Sequence, residues 1–130
     1  MAIVNKLADV RAWQEARRLV KSIYKLTGTE DFAKDPGLRD QVQRAALAAM
    51  TNIAQGFDSD SKLEFTRFLV KARRAALEVQ SLLYAALDVG YITQRAFKAE
   101  YQQAEKIKVI VSGLKRSLKA REGKTGASDS

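Results

Sequence analysis

Residues 61–90 read SKLEFTRFLVKARRAALEVQSLLYAALDVG, and this stretch decides the fold class. Its apolar residues recur three and four positions apart, which is the spacing that places side chains on one face of an α-helix. Ser61, with Glu64 three residues later, is the capping-box pattern of a helix start, and Gly90 is a common helix terminator. The stretch therefore predicts one amphipathic helix of about 43 Å, at 1.5 Å per residue.

Three further segments carry the same periodicity. They are predicted to be helices over residues 10–27, 35–55 and 93–118. Asp35 followed by Pro36 favours a helix start, and Thr93 is a suitable cap for the last helix. Gly28 and Gly56 are predicted to end the first two helices. Residues 29–34 are polar and net acidic, which predicts an exposed connection.

Composition supports a single all-α domain. The 130 residues contain one proline and seven glycines, and 46% of them are apolar, which is enough for one continuous core. Short connections between amphipathic helices favour antiparallel neighbours, so we predict an up-and-down four-helix bundle over residues 1–120. Residues 121–130 are rich in Gly, Ser, Thr and charge, and they are predicted to form a disordered tail.

The missing residue types exclude much of enzyme chemistry. The chain has no cysteine and no histidine, which removes thiol nucleophiles, imidazole catalysis and the usual zinc sites. No spacing of the remaining polar residues indicates a catalytic site, so we predict a protein that is not an enzyme and takes no cofactor or metal. No apolar run approaches the roughly 18 residues of a membrane span, and a cytoplasmic protein without membrane contact is expected.

The positive charge is concentrated on two of the predicted helices. The formal net charge is +8; residues 1–28 hold six basic and two acidic residues, and residues 91–120 hold seven and two. Clustered Lys and Arg gain binding free energy by releasing counterions from nucleic acid, so we predict RNA or DNA as a partner. The predicted phosphate-contacting residues are Arg11, Arg18, Lys21, Lys25, Lys108, Lys115 and Lys119. The alternative interpretation of the same faces is solubility alone.

Five other residues are predicted to have structural roles. Asn52 lies at the edge of an apolar stripe, where a polar side chain can fix helix register or oligomer state, and Gly56 follows four residues later. A turn near Asp58 would place Glu78 within ion-pair reach of Arg39 or Arg44.

The aromatic residues divide into two groups by their spacing. Trp13, Phe65, Phe68 and Phe97 lie at core positions, whereas Tyr24, Tyr84 and Tyr101 are expected at a bundle edge or an interface. From the sequence, none of them indicates base recognition.

Several short motifs together resemble a known family. They are Trp13-Gln14-Glu15-Ala16, the runs at 41–46 and 52–56, Glu64-Phe65 with Phe68-Leu69, and the run at 87–92. They are similar to the small bacterial four-helix bundle proteins, also called the 23S rRNA intervening-sequence protein family. That family includes the accessory variability protein of diversity-generating retroelements. The resemblance extends from about Leu7 to Leu118.

The resemblance implies a protomer that assembles into a homopentamer. For the retroelement relative it also implies a basic surface that binds nucleic acid and a reverse transcriptase as partner. The hypothesis from the sequence is therefore a non-catalytic, homo-oligomeric nucleic-acid-binding protein. The alternative is an adaptor or assembly protein whose oligomer or protein-partner interface is the function.

Overall fold

The protein is all-helical in the computed structural model, which describes residues 7–129, with the side chains of residues 7 and 9–120. A 3-10 turn at Leu7–Asp9 precedes five α-helices. They are α1 (Arg11–Thr27), α2 (Glu30–Ala33), α3 (Pro36–Phe57), α4 (Lys62–Asp88) and α5 (Gln94–Asp129). The described part of the chain contains no β-strand, which confirms the predicted all-α class.

The short helix α2 was not predicted. Residues 29–34 were expected to form an exposed connection, but Phe32 within them is 1% exposed and packs on Tyr91, with ring centroids 5.3 Å apart. Burying one aromatic ring anchors the connection to the core, and a single helical turn satisfies its backbone. The sequence signal for this turn was the lone aromatic residue in an otherwise polar segment.

The predicted helix starts are confirmed by their caps. Asp35 Oδ1 accepts a hydrogen bond from the Leu38 amide at 3.1 Å, and Ser61 Oγ accepts one from the Glu64 amide at 3.1 Å. Each side chain satisfies an amide that has no partner inside the first turn. After α4, Gly90 has a φ of +83°, a left-handed conformation in which glycine avoids the strain of a Cβ atom.

Each long helix packs against the next one along the chain, and α1 also packs against α5. The contacts are antiparallel: Gly56 near the end of α3 lies against Phe65 at the start of α4, and Tyr84 near the end of α4 contacts Phe97 at the start of α5. Small side chains on α3 and α4 bring these two helices close together. The shared core contains Leu19, Ile23, Ile53, Leu69, Leu83 and Ile107, all with no exposed surface.

Gly56 does not end its helix as predicted. The helix continues through Phe57, and Asp58 is its C-cap. A Cβ atom built on Gly56 would lie 3.1 Å from Phe65 Cδ1 and 3.3 Å from Phe68 Cβ. The glycine is therefore needed because α4 approaches so closely, and not because of its backbone freedom.

The predicted ion pair of Glu78 is wrong. Among the described side chains, no carboxylate–cation contact within 4 Å joins Glu78 to Arg39 or Arg44. Glu78 is exposed, beside the face that α4 turns toward its neighbours. The Arg39 guanidinium instead contacts Asp40 at 2.9 Å and donates to the Ala33 carbonyl at 2.8 Å, where it satisfies the end of α2.

Asn52 also differs from the prediction. Its amide donates to the Ala48 carbonyl of its own helix at 2.8 Å. Because this bond is local to α3, it does not define the register between helices.

In the described part of the chain, none of the helices is sufficiently long and apolar to cross a membrane. The predicted disordered tail at residues 121–130 differs from the described backbone, because α5 continues past the predicted end at residue 118 to Asp129. The side chains of residues 121–130 lie outside the described set.

Candidate nucleic-acid interface

The first basic surface lies on α1, and we define the α1 face as Arg11, Arg18, Lys21 and Lys25. All four side chains are exposed, as the prediction requires. A shallow groove along this helix is lined by Gln14, Arg17, Arg18 and Lys21. The Arg17 guanidinium lies 5.6 Å from the centre of the Trp13 ring, a cation–π contact that shields the half-buried indole.

A buried carboxylate lies beside the α1 face. Glu15 is 8% exposed, and its Oε1 accepts a hydrogen bond from the Gln103 amide at 3.0 Å. Lys106 and Arg18 approach the same carboxylate at 3.8 and 3.6 Å. The Gln103 hydrogen bond and then the two cations lower the pKa of Glu15, although burial opposes them.

This carboxylate joins α1 to α5 and neutralises part of the nearby charge. The Arg18 side chain remains 72% exposed despite the contact, so it is still open to a ligand. The sequence gives no sign that Glu15 is buried, because spacing alone does not distinguish a charged residue inside an apolar stripe.

The second basic surface is a groove between α4 and α5, which we call the α4–α5 groove. It is lined by Arg73, Ser112, Lys115, Arg116 and Lys119. Lys115 and Lys119 were predicted as phosphate-contacting residues, and both are exposed. Arg73 comes from α4 and was missed, because the charge of each helix was considered separately. Among residues 7–120, none of these four cations has a carboxylate within 4 Å.

Lys108 is not one of the free cations of the α4–α5 groove, so its predicted role as a phosphate contact needs correction. Its side chain is only 15% exposed. The ammonium donates to Gln80 Oε1 at 3.0 Å and lies 3.3 Å from Glu105 Oε1. Gln80 itself is 2% exposed, and its amide donates to the same Glu105 oxygen at 3.0 Å. We therefore remove Lys108 from the proposed phosphate contacts.

The Gln80–Glu105–Lys108 network holds α4 against α5. The Gln80 hydrogen bond and then Lys108 lower the pKa of Glu105, again against desolvation. Gln80 would be costly to bury without these partners, since an unsatisfied buried amide costs about 1–3 kcal/mol. The sequence signal for this network was a glutamine, Gln80, at a core-facing position of α4.

Arg116 connects the α4–α5 groove to a second, more apolar groove. It lines this groove together with Arg11, Lys106 and Val109, among others. The structure thus brings Arg11 of α1 close to the cations of α5, which the helix-by-helix analysis had placed on separate surfaces.

The aromatic residues mostly lie as predicted. Phe97 is buried, Trp13, Phe65 and Phe68 are partly buried, and Tyr101 is partly buried at the edge of the core. Tyr24 and Tyr84 are exposed.

The described side chains contain no group of three or more His, Cys, Asp or Glu residues that could hold a metal ion. The described side chains that line the two basic grooves are cations, one amide (Gln14) and one hydroxyl (Ser112). What these surfaces can do chemically is to bind anionic groups.

Comparison with known proteins now identifies the family. Residues 8–113 match the family of 23S rRNA-intervening sequence proteins. A crystal structure of a protein of unknown function from the S23 ribosomal protein family of Bacteroides thetaiotaomicron VPI-5482 has a similar fold, with a TM-score of 0.74 at 19% sequence identity. The similarity covers 80% of this chain and 97% of the other. The comparison with curated proteins gives no match. The chain belongs to the 23S rRNA-intervening sequence protein family.

Proposed function

We propose that this protein is a non-catalytic nucleic-acid-binding protein that contacts phosphate groups of RNA or DNA. The α4–α5 groove is the observation that carries the proposal. It gathers Arg73, Lys115, Arg116 and Lys119 from two helices, and among residues 7–120 no carboxylate lies within 4 Å of them. Arg73 has only the longer-range attraction of Glu105, which is paired with Lys108. Cations held this way release counterions when a polyanion binds, which favours association at low salt.

The α1 face provides a second set of phosphate contacts for the proposed function. Arg11, Arg18, Lys21 and Lys25 are all exposed, and Arg11 shares a groove with Arg116. Phosphate contacts of this kind position a nucleic acid without reading its sequence. We therefore expect binding that depends strongly on salt and weakly on base sequence.

We further propose that the four long helices form an antiparallel up-and-down bundle, with α2 as an insertion in one connection. By family resemblance, the bundle would assemble as a homopentamer in the cytoplasm. A reverse-transcriptase partner stays a prediction of that resemblance, and the contacts described above carry no argument for it.

The test is fluorescence anisotropy of a labelled oligonucleotide, titrated with the full chain at several salt concentrations. K115E/K119E should weaken binding on the order of 100-fold at low salt, and should reduce the slope of log K against log salt by about 2, since two phosphate contacts are lost. R18E/K21E/K25E tests the α1 face in the same assay. Circular dichroism should show unchanged helicity in both variants, because all five residues are exposed.

A matched control for K115E/K119E is K34E/R44E, which makes the same change in net charge on exposed residues at the end of α2 and on α3. These residues lie outside both basic surfaces, so this variant should bind almost as the wild type does. Equal weakening by both variants would contradict the proposed surface. A stable oligomer by light scattering, with no salt-sensitive binding, would favour the adaptor alternative.

A further inference from the structure

An exposed aromatic ring lies at one end of the seam between α4 and α5. Tyr84 is 51% exposed, yet its ring is held in place from one side. The Phe97 ring lies 4.8 Å away and the Tyr101 ring 5.8 Å away, centre to centre. Phe97 is buried, so Tyr84 is an outward-facing ring on a fixed aromatic support. Its free side can accept another planar group at little entropic cost.

The aromatic end and the α4–α5 groove lie along the same seam. Arg73, Leu77 and Tyr84 are separated by four and seven residues, so they lie on one face of α4 within about 40° of arc. Arg73 and Tyr84 are about 16 Å apart along the axis, at 1.5 Å per residue. On α5, Tyr101 contacts the ring cluster and Ser112 lines the groove, which continues the seam on the other helix.

The middle of the seam is formed by the Gln80–Glu105–Lys108 network, in which Gln80 is buried and the Glu105 side chain is 48% exposed but is paired with Lys108 at 3.3 Å. Leu77 is half exposed beside this ion pair, so an apolar side chain and a neutralised carboxylate lie between the tyrosine and the cations. The seam therefore offers a ring at one end, Leu77 and the Glu105–Lys108 ion pair in the middle, and unpaired positive charge at the other end.

We infer that this seam binds single-stranded nucleic acid, with a base stacked on Tyr84 and the phosphates of neighbouring nucleotides in the α4–α5 groove. The inference rests on the proposed function and specifies its substrate. A flat ring beside a basic groove is the combination that single strands use, because every base has a π-face. A duplex keeps its bases stacked on one another and cannot offer that face to the protein, so it can use only the cations.

The experiment compares a labelled single strand of about 12 thymidines with the same strand annealed to its complement, a length within the range of single-strand sites. Y84L should weaken single-strand binding about tenfold, the equivalent of about 1.4 kcal/mol and within the range for one stacked base. The duplex affinity should not change. Y84F keeps the ring and should bind both probes as the wild type does.

Phe57 provides a matched control. It is 37% exposed and packs on Phe65 at 4.7 Å, so it too is an exposed ring on an aromatic support. It is followed by Asp58 instead of a basic groove. F57L should therefore leave single-strand binding unchanged.

The outcomes separate this inference from the proposed function. If K115E/K119E weakens binding of both probes while Y84L changes neither, the stacking is overturned and the basic groove stands. If K115E/K119E has no effect on either probe, both proposals fall. If Y84L weakens both probes equally and changes the mass measured by light scattering, the surface is a contact between copies, and the inference is overturned.

A second measurement covers the case in which Y84L does not fold. Ultraviolet cross-linking of the wild-type chain to the single strand, followed by mass spectrometry of the peptides, should place a cross-link on Tyr84. Cross-links confined to peptides outside the seam would overturn the inference.

Discussion

Lys108 and Lys115 occupy equivalent places on α5 but have different surroundings. They are seven residues apart and therefore share one arc of the helix. Lys108 meets the buried Gln80 of α4 and is held between it and Glu105. Lys115 lies two turns further along α5, in the α4–α5 groove, where the facing residue of α4 is Arg73. The neighbouring helix thus decides whether a lysine on this arc is a structural tie or a free cation.

The largest effect expected from this comparison is on stability. K108M should lower the free energy of unfolding by about 2 kcal/mol, because Gln80 Oε1 is left without a donor in a buried site. K108M should leave the nucleic-acid affinity unchanged. K115M should weaken nucleic-acid binding and keep the free energy of unfolding within about 0.5 kcal/mol of wild type. Urea unfolding and the anisotropy titration measure the two quantities.

A double variant sharpens the same comparison. In Q80L/K108M both buried partners become apolar, so about 1 kcal/mol of the loss should return relative to K108M. If K108M weakens nucleic-acid binding as much as K115M does, Lys108 belongs among the phosphate contacts after all, and the distinction between the two lysines is wrong.

Two helical glycines extend the comparison to packing. A Cβ atom on Gly56 would meet Phe68 Cβ at 3.3 Å, whereas the nearest atom to one on Gly113 is Arg116 Nη2 at 3.9 Å. G113A should therefore stabilise the protein by about 0.5–1 kcal/mol through helix propensity. G56A gains the same propensity but overpacks the contact, for a net loss of about 1 kcal/mol. Thermal unfolding of both variants measures the two effects. Equal changes in melting temperature would show that α3 and α4 adjust to the added methyl group at little cost.

The pH dependence of stability separates the carboxylates along α5. The pKa of Glu105 lies below its ordinary value of 4.5, so its stabilising contribution is complete above that value and is lost as the pH falls through the lowered pKa. Burial raises the pKa of Glu100, against the Ser22 hydroxyl that donates to it at 2.6 Å. Its ionisation costs stability once the pH rises above 4.5, its ordinary value.

Between about pH 7 and pH 3, E105Q should therefore lose less stability than the wild type, and E100Q should lose more. Chemical unfolding at several pH values measures both slopes. Slopes of both variants that are parallel to the wild-type slope would contradict this prediction, because they would mean that the pKa of neither carboxylate changes on folding.

The smallest effect is expected on the α1 face. Arg18 lies 3.6 Å from Glu15, but its side chain is 72% exposed, and exposed ion pairs contribute little to stability. R18M and K21M should thus both stay within about 0.5 kcal/mol of wild type in urea unfolding. A loss well above this for R18M alone would make Arg18 a structural tie like Lys108.

The sequence by itself determined the all-α class, the starts of the four long helices and the ends of α1 and α4. These are local properties: the 3.6-residue period, the caps at Asp35, Ser61 and Thr93, and the turn at Gly90 act within a few neighbouring residues. The same locality explains one failure, since the single turn of α2 is too short to show any periodicity and depends on the burial of Phe32.

The tertiary structure alone decided which polar residues are joined and which stay free. Gln80 and Lys108 are 28 positions apart, and Arg73 reaches the lysines of α5 only because α4 and α5 pack side by side. The predicted Glu78 ion pair failed for the same reason, because a helix period gives the order of faces and not the rotation of each helix against its neighbour. That rotation is set by side-chain packing across the whole core, which no single segment contains.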